Sequence, residues 1–446
     1  MSPAPIARSR TSQTPRCTNG SSKTSNTPTI VAGMRTVLAL CRGGSTDRED
    51  GSVSRRLLLH TRPGRLMAGA VLVLFLATLV GLVALWAPDD RGGDPRVQRV
   101  TTLAAEVVSV REEACPGTRQ ACRSIVARVD EGPDRGERTR ITLGPVEVTP
   151  DLDPGDGIRV SRAEIPEGAT AEAYAYVDRE RRGPQLWLAI VFAVLLVGMA
   201  RVQGLWALLG FAASLALVVE FLVPAMLEGT APLLVALVGA LAVMFLTVLL
   251  TYGLAAQSLA AILGIAASLA VAALLGQLLV DLTGLDGRGG DTANALAFAA
   301  GGVSLQGIVL AGMVLGALGV LADTAVTQAS AVLALRRANP DLTARGLYAG
   351  AFSVGRDHLV ATTHTLVLAY VGASLPLLLL LDAGGVSGAD LLNSPEIAEP
   401  VVATLVGSIA LLLSVPLTTA LSSVLVARMP VDALPAGGGH HHHHAH

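Results

Sequence analysis

The sequence predicts a polytopic α-helical membrane protein with eight transmembrane helices and both termini on the cytoplasmic side. A small β-rich, barrel-like extracytoplasmic domain is expected between the first and second helices. Three observations carry this reading: an apolar composition, charge-free runs of bilayer length, and arginines that fall on alternate loops. Of 446 residues 51% are hydrophobic and 15% charged, where a soluble domain carries roughly 25% charged residues. Mean hydropathy is +0.56. Such a composition excludes collagen, coiled coils and cytosolic enzymes, and a net charge of −2 argues against a nucleic-acid partner.

About 20 apolar residues, rising 1.5 Å each, cross roughly 30 Å of hydrocarbon. Residues 1–65, rich in Ser, Thr, Pro and Arg, lack apolar periodicity and read as a disordered cytoplasmic tail, with Met34 or Met67 as alternative starts. The first span is 66–88. Ala84-Leu85-Trp86 places a Trp where a cleavage site needs a small residue, so it reads as an uncleaved signal anchor. Residues 183–200 and 202–223 make two spans around Arg201, the later one carrying Glu220. No charge occurs from 229 to 280, and one helix of that length would be about 78 Å long. The chain is therefore expected to fold back at Thr251-Tyr252-Gly253, giving spans 231–251 and 256–280. Runs at 303–335, 358–381 and 400–427 complete the count, so 185–428 forms a seven-helix bundle. A short interfacial helix is expected over 341–352 after Asn339-Pro340-Asp341. Residues 429–446 are a tail ending in His440–His444 and His446, a purification tag.

Orientation follows from the basic residues, which tend to stay cytoplasmic near span ends. With the N-terminus inside, the inner ends receive Arg62, Arg65, Arg201, Arg336, Arg337, Arg345, Arg356 and Arg428. The short outer loops carry Glu228, Asp281, Asp286, Asp291, Asp382, Asp390, Glu396 and Glu399, and Arg288 alone breaks the pattern among them.

The polar insertion 89–184 shows alternating runs at 105–110, 124–129, 138–143 and 157–160. Turns fall at Glu131-Gly132-Pro133-Asp134 and Asp153-Pro154-Gly155-Asp156. This reads as a small barrel or sandwich related to the oligonucleotide- and oligosaccharide-binding barrels. Cys115 and Cys122 flank a Pro-Gly turn in this outward-facing domain and are expected to form a disulfide, since no His accompanies them to make a zinc site. Cys17 and Cys41, in the tail, read as free thiols.

The chemically informative region runs from 301 to 376. Gly312, Gly316, Gly319, Asp323, Thr327 and Ser330 share one helical face. The glycines, with Gly372 on the following span, read as helix-packing positions. Asp323 is the sole charge from 292 to 335, in the cytoplasmic half of its span, where an ionisable group faces a cavity, a partner or an ion path. The next span opens Gly355-Arg356-Asp357-His358 and continues Thr362-Thr363-His364-Thr365, with His358, Thr362 and Thr365 on one face and Asp357 and His364 on an adjoining one. Asp323 and the His358, Thr362 and His364 group are expected to meet at one depth. The structural alternatives are that Ser and Thr bond their own helix carbonyls, that the His residues do likewise, and that Arg356 and Asp357 are solvated at the interface.

Two strings resemble signatures of the YibE/F-like family of bacterial multi-pass membrane proteins. They are Gly319-Val320-Leu321-Ala322-Asp323-Thr324-Ala325-Val326-Thr327 and Gly355-Arg356-Asp357-His358 followed by Thr365-Leu366-Val367-Leu368-Ala369-Tyr370-Val371-Gly372. The resemblance spans about residues 100–427 and includes the E-type layout with its extracytoplasmic domain. His358 and His364 stand where the family more usually has an apolar residue and an Asn. The resemblance implies a transporter-like protein of the bacterial cytoplasmic membrane and names no substrate.

An isolated intramembrane carboxylate facing a seam of Thr, Ser and His is what an ion-coupled secondary transporter or permease requires. Asp323 is expected to exchange a proton or bind a cation, burial there favouring proton loading and release near neutral pH, with Thr327, Thr362 and His364 completing the site. A divalent metal held by Asp323, Asp357, His358 and His364 would need ligands converging within about 2–2.5 Å of one ion, which sequence leaves open. No cofactor is expected. The expected partners are the bilayer and a small solute or ion, with substrate and oligomeric state unassigned. The alternative is a membrane receptor or assembly factor that binds a partner through the outer domain. An enzyme is not expected, because there is neither a His-Glu-x-x-His nor a Gly-x-Ser-x-Gly motif, and only Ser353 with His358 is sequence-local.

Overall fold

Apolar runs closed by a Pro, a Gly or a hydroxyl cap set the helix boundaries. A computed structural model describes residues 61–86, 102–115, 120–162, 173–289, 291–299 and 302–429. The tail through residue 60, with Cys17, Cys41 and Met34, and the terminal histidines lie outside the described residues. Helix α1 (Arg62–Ala84) starts where Thr61 Oγ1 accepts the Gly64 N–H at 3.2 Å. Helix α2 (Arg182–Leu217) continues through a π turn (Val218–Leu222) into α3 (Val223–Leu227). Helices α4 (Pro232–Tyr252) and α5 (Ala256–Thr283) are separated at Gly253, φ 64°, where the sequence placed the break. A short α6 (Asp291–Ala299) precedes α7 (Leu305–Ala338) and α8 (Ala344–Ala383). Helices α9 (Gly388–Asn393) and α10 (Pro395–Val426) follow. Among the described residues seven helical stretches are long and apolar enough to cross a membrane, the run Arg182–Leu227 counting as one.

That run is not straight. Arg201 has φ 53° and ψ −128°, outside the helical region. A Cβ on Gly204 would lie 2.6 Å from the Leu196 carbonyl oxygen, although eight residues of straight helix rise about 12 Å. The chain therefore reverses at Arg201 as a tight helical hairpin, and Gly204 admits the approach.

Helices α5, α7 and α10 pack against one another as the centre of the bundle; α4 lies on α7, α8 on α10 and α7, and α1 on α4 and α5. The interfacial helix expected over 341–352 is not separate. It forms the first turns of α8, a single helix of about 60 Å, because residues 353–357 between the two expected segments continue the helix without a break.

The domain between α1 and α2 is a half-barrel. Strands β1 (Thr102–Ala114), β2 (Ala121–Val129), β3 (Arg138–Pro145), β4 (Gly157–Arg162) and β5 (Tyr174–Arg179) form one antiparallel sheet in the order β3-β2-β1-β4-β5. The two edges, β3 and β5, come into contact. Val107, Ile125, Val129, Ile141, Ile158 and Val160 fill the interior. Strand β5 was not among the runs read from sequence. It ends at Arg179 and α2 begins at Arg182, with Glu180 Oε1 accepting the Arg182 N–H at 2.9 Å.

Cys115 and Cys122 form the expected disulfide. Closing so short a loop restricts the unfolded chain by about 2.5 kcal/mol. Cys122→Ser should therefore lower the half-barrel's melting temperature in the whole protein, followed by near-UV circular dichroism of Tyr174 and Tyr176, while leaving the bundle's transition in place.

Charged groups cover the sheet, and several are perturbed. The backbone N–H of Asp153 and the Arg179 guanidinium hold the Asp156 carboxyl below its usual range. The Ala104 N–H and Arg159 do the same for Glu131, and Arg181 with the Arg179 N–H for Asp178. Lowered folded values add stability that is complete above the unfolded carboxylate range near about 4 and is lost as pH falls through them. Burial and the Asp134 carboxylate raise the Tyr174 phenol, whose contribution is complete at neutral pH and is lost in alkali beyond the ordinary tyrosine range. The half-barrel's near-UV signal should thus hold between about pH 5 and 9 and fail at both extremes, and Asp156→Asn should weaken the acid sensitivity.

Candidate functional site

Helix α7 carries no charge but Asp323 from Leu305 to Leu335. Asp323 lies about 27 Å along the axis from Leu305 and about 20 Å from Arg336. Its side chain is 70% exposed, and His358 Nε2 on α8 lies 3.7 Å from its Oδ2. That separation allows an ion pair when the imidazole is protonated and is too long for a hydrogen bond. Tyr252, ending α4, lies within electrostatic reach of the same carboxylate. The expectation that the bundle buries Asp323 is corrected: Thr324, Ala325 and Gln328 of α7 turn into the core, and Asp323 faces outward between α4 and α8.

The meeting of Asp323 with His358 follows from how α7 and α8 run past each other. Going up the antiparallel pair, Gly350 sits against Leu335, Gly355 against Gln328, His358 against Asp323, and Tyr370 over Gly316. The Gly355–Gln328 contact sets this register. A Cβ on Gly355 would be 2.6 Å from Gln328 Nε2 and 2.7 Å from Oε1, so only glycine admits the amide. Gln328 is fully buried, and its Oε1 lies 3.0 Å from Thr419 Oγ1 of α10, whose one hydrogen is shared with the Val415 carbonyl at 2.6 Å. One amide thus seats three helices, one turn from the His358–Asp323 pair. Sequence reading passed over Gln328, although an uncharged amide within an apolar span is itself a signal.

The remaining expected residues do not converge on Asp323. Thr362, Thr363 and Thr365 donate to the carbonyls of His358, Leu359 and Ala361, which is the structural alternative. Thr327 and Ser330 are half-buried on the Asp323 face. Arg356, Asp357 and His364 are exposed, and His364 lies about 240° around α8 from His358, so it does not complete the site. Among the described residues no three His, Cys, Asp or Glu side chains gather as metal ligands. Ser353 donates to the Gly350 carbonyl at 2.8 Å.

The glycines read as packing positions lie on an open face of this chain. A Cβ on Gly312, Gly319 or Gly372 meets nothing within 4 Å, and at Gly316 it meets only the Tyr370 hydroxyl, at 3.0 Å. The face Gly312–Gly316–Gly319–Asp323 is the floor of a groove. Helix α4 runs along one side, with Pro232 against Gly307 and with Val248 and Tyr252 beside Val326, and α8 runs along the other. The tightest glycine contact among the described residues is at Gly264 of α5, where a Cβ would be 2.1 Å from Thr418 Oγ1. Thr418 belongs to a fully buried hydroxyl stripe on α10 with Ser414 and Ser422.

The model of the YibE/F-like protein family matches residues 188–428, more than half of the chain, and takes in Asp323, Gln328, Gly355 and His358. No curated protein and no solved structure matches the chain.

Proposed function

The chain belongs to the YibE/F-like protein family, and we propose that its bundle works as a secondary transporter or permease coupled through Asp323. In this reading the hairpin at Arg201 makes Arg182–Leu227 two crossings, which gives eight spans. Arginine placement sets both termini in the cytoplasm of a bacterial cell, with the half-barrel outside.

One observation carries the functional reading: a carboxylate in an otherwise uncharged span, exposed to a groove and facing a histidine on a second helix. A charge at a span's lipid-facing side costs several kcal/mol, so it persists where it is used. Helix α8 is suited to move, since Leu347, Ala351, Gly355, Leu359 and Leu366 are its only buried residues. With Asp323 ionised and His358 protonated, attraction draws α8 toward α7. A proton on the carboxylate removes that attraction and releases α8. The pair thereby links proton occupancy to the width of the groove.

Pyranine-loaded proteoliposomes under an imposed potassium–valinomycin potential test this. Wild-type protein should carry protons inward, and Asp323→Asn should reduce the flux by on the order of 10². Flux unchanged in the variant would remove Asp323 from the mechanism and favour a receptor role for the half-barrel.

A further inference from the structure

We infer that the cargo is a lipophilic organic cation, a positive charge carried on an apolar body. The inference rests on the transporter reading and on a second cavity which that reading does not use. Helices α8, α9 and α10 border a half-open recess of about 330 Å³, lined among others by Val367, Tyr370, Val371, Leu378, Pro400 and Leu405. The wall is apolar but for Tyr370, Ser374 and Thr404, and the Thr404 hydroxyl is already donated to the Pro400 carbonyl. A hydrated ion or a sugar would surrender its water there without replacement partners, which is costly. An apolar body of drug-like size loses nothing by entering.

Tyr370 joins this chamber to the groove. It lines the chamber, and its hydroxyl stands 3.0 Å from where a Cβ on Gly316 would lie. From there the floor passes Gly319 to Asp323, whose one close charged partner among the described residues is His358. Along α8, Tyr370 is about 18 Å from His358. A molecule accepted at both stations must be apolar in bulk to occupy the chamber and positive to be held at the carboxylate.

The test is equilibrium dialysis of the untagged protein in nanodiscs against tetraphenylphosphonium and its isosteric anion tetraphenylborate, with empty nanodiscs subtracted. The cation should bind saturably and the anion at least about tenfold more weakly, with Asp323→Asn and the chamber-filling Leu405→Trp each weakening the cation about tenfold. Equal binding of the two ions, or cation binding indifferent to both variants, would overturn the assignment. The transporter reading fails separately. Asp323-dependent proton flux without cation binding sinks the cargo class alone, whereas cation binding with Asp323-independent flux sinks the transport mechanism and the cargo with it.

Discussion

Gly355→Ala should destabilise the bundle by about 1–3 kcal/mol and abolish Asp323-dependent proton flux, though residue 355 touches neither charge of the pair. The added methyl carbon would sit 2.6 to 2.8 Å from the Nε2, Oε1 and Cδ atoms of Gln328. Gln328 has no room to retreat, being fully buried and held by Thr419 of α10. Helix α8 must therefore slide or tilt, and His358, one turn on, moves away from Asp323. Gln328→Ala removes all three obstructing atoms, so the double variant should recover part of both stability and flux. The coupling energy between the two substitutions should be of opposite sign to their separate effects. Thermal unfolding and the pyranine assay on the four proteins measure it, and purely additive losses would show that the glycine does not set the register.

A larger loss is expected at Gly264. A Cβ there would lie 2.1 Å from Thr418 Oγ1 and 3.0 Å from Thr418 Cβ. Both residues are buried in the α5–α10 contact at the bundle's centre. Gly264→Ala should cost at least about 3 kcal/mol, the upper end for overpacking, and appear as loss of a monodisperse species in size-exclusion chromatography. Thr418→Ala alone should be near neutral, because its buried hydroxyl has no hydrogen-bond partner and little is forfeited by its removal. Combining the two should relieve only part of the damage, because the Cβ of residue 418 stays close. Full tolerance of Gly264→Ala would mean that the two helices separate easily.

Span positions were legible because they depend on length and charge alone. Uncharged runs had to become helices of bilayer length, and breaks at Arg201 and Gly253 fell where a charge or a glycine interrupted them. The disulfide and four of the five strands were legible for similar local reasons. The fifth strand, Tyr174–Arg179, was obscured because half of its six residues are charged or border charges and it merges into the polar approach to α2. At the site, the Asp323–His358 meeting was legible from depth, since two antiparallel helices place residues of equal depth side by side. What faces inward was not. The spacing put Gly312, Gly316, Gly319 and Asp323 on one face correctly, but a shared face does not reveal whether a neighbour covers it. Here the core is met by Thr324 and Gln328 from the other side of the helix. Hydroxyls such as Thr362 also look available in sequence until their own helix carbonyls are counted as acceptors.

Strand β5 ends at Arg179 and α2 begins at Arg182, with the joint tied by Glu180 to the Arg182 N–H. So short a splice leaves no slack between a domain in water and a helix in lipid. A rotation of the half-barrel would reach α2 directly, with the turn at Arg201 as the far end of the lever. A few glycines and serines inserted between Arg181 and Arg182 would act as a clutch, disengaging the outer domain while leaving each part intact.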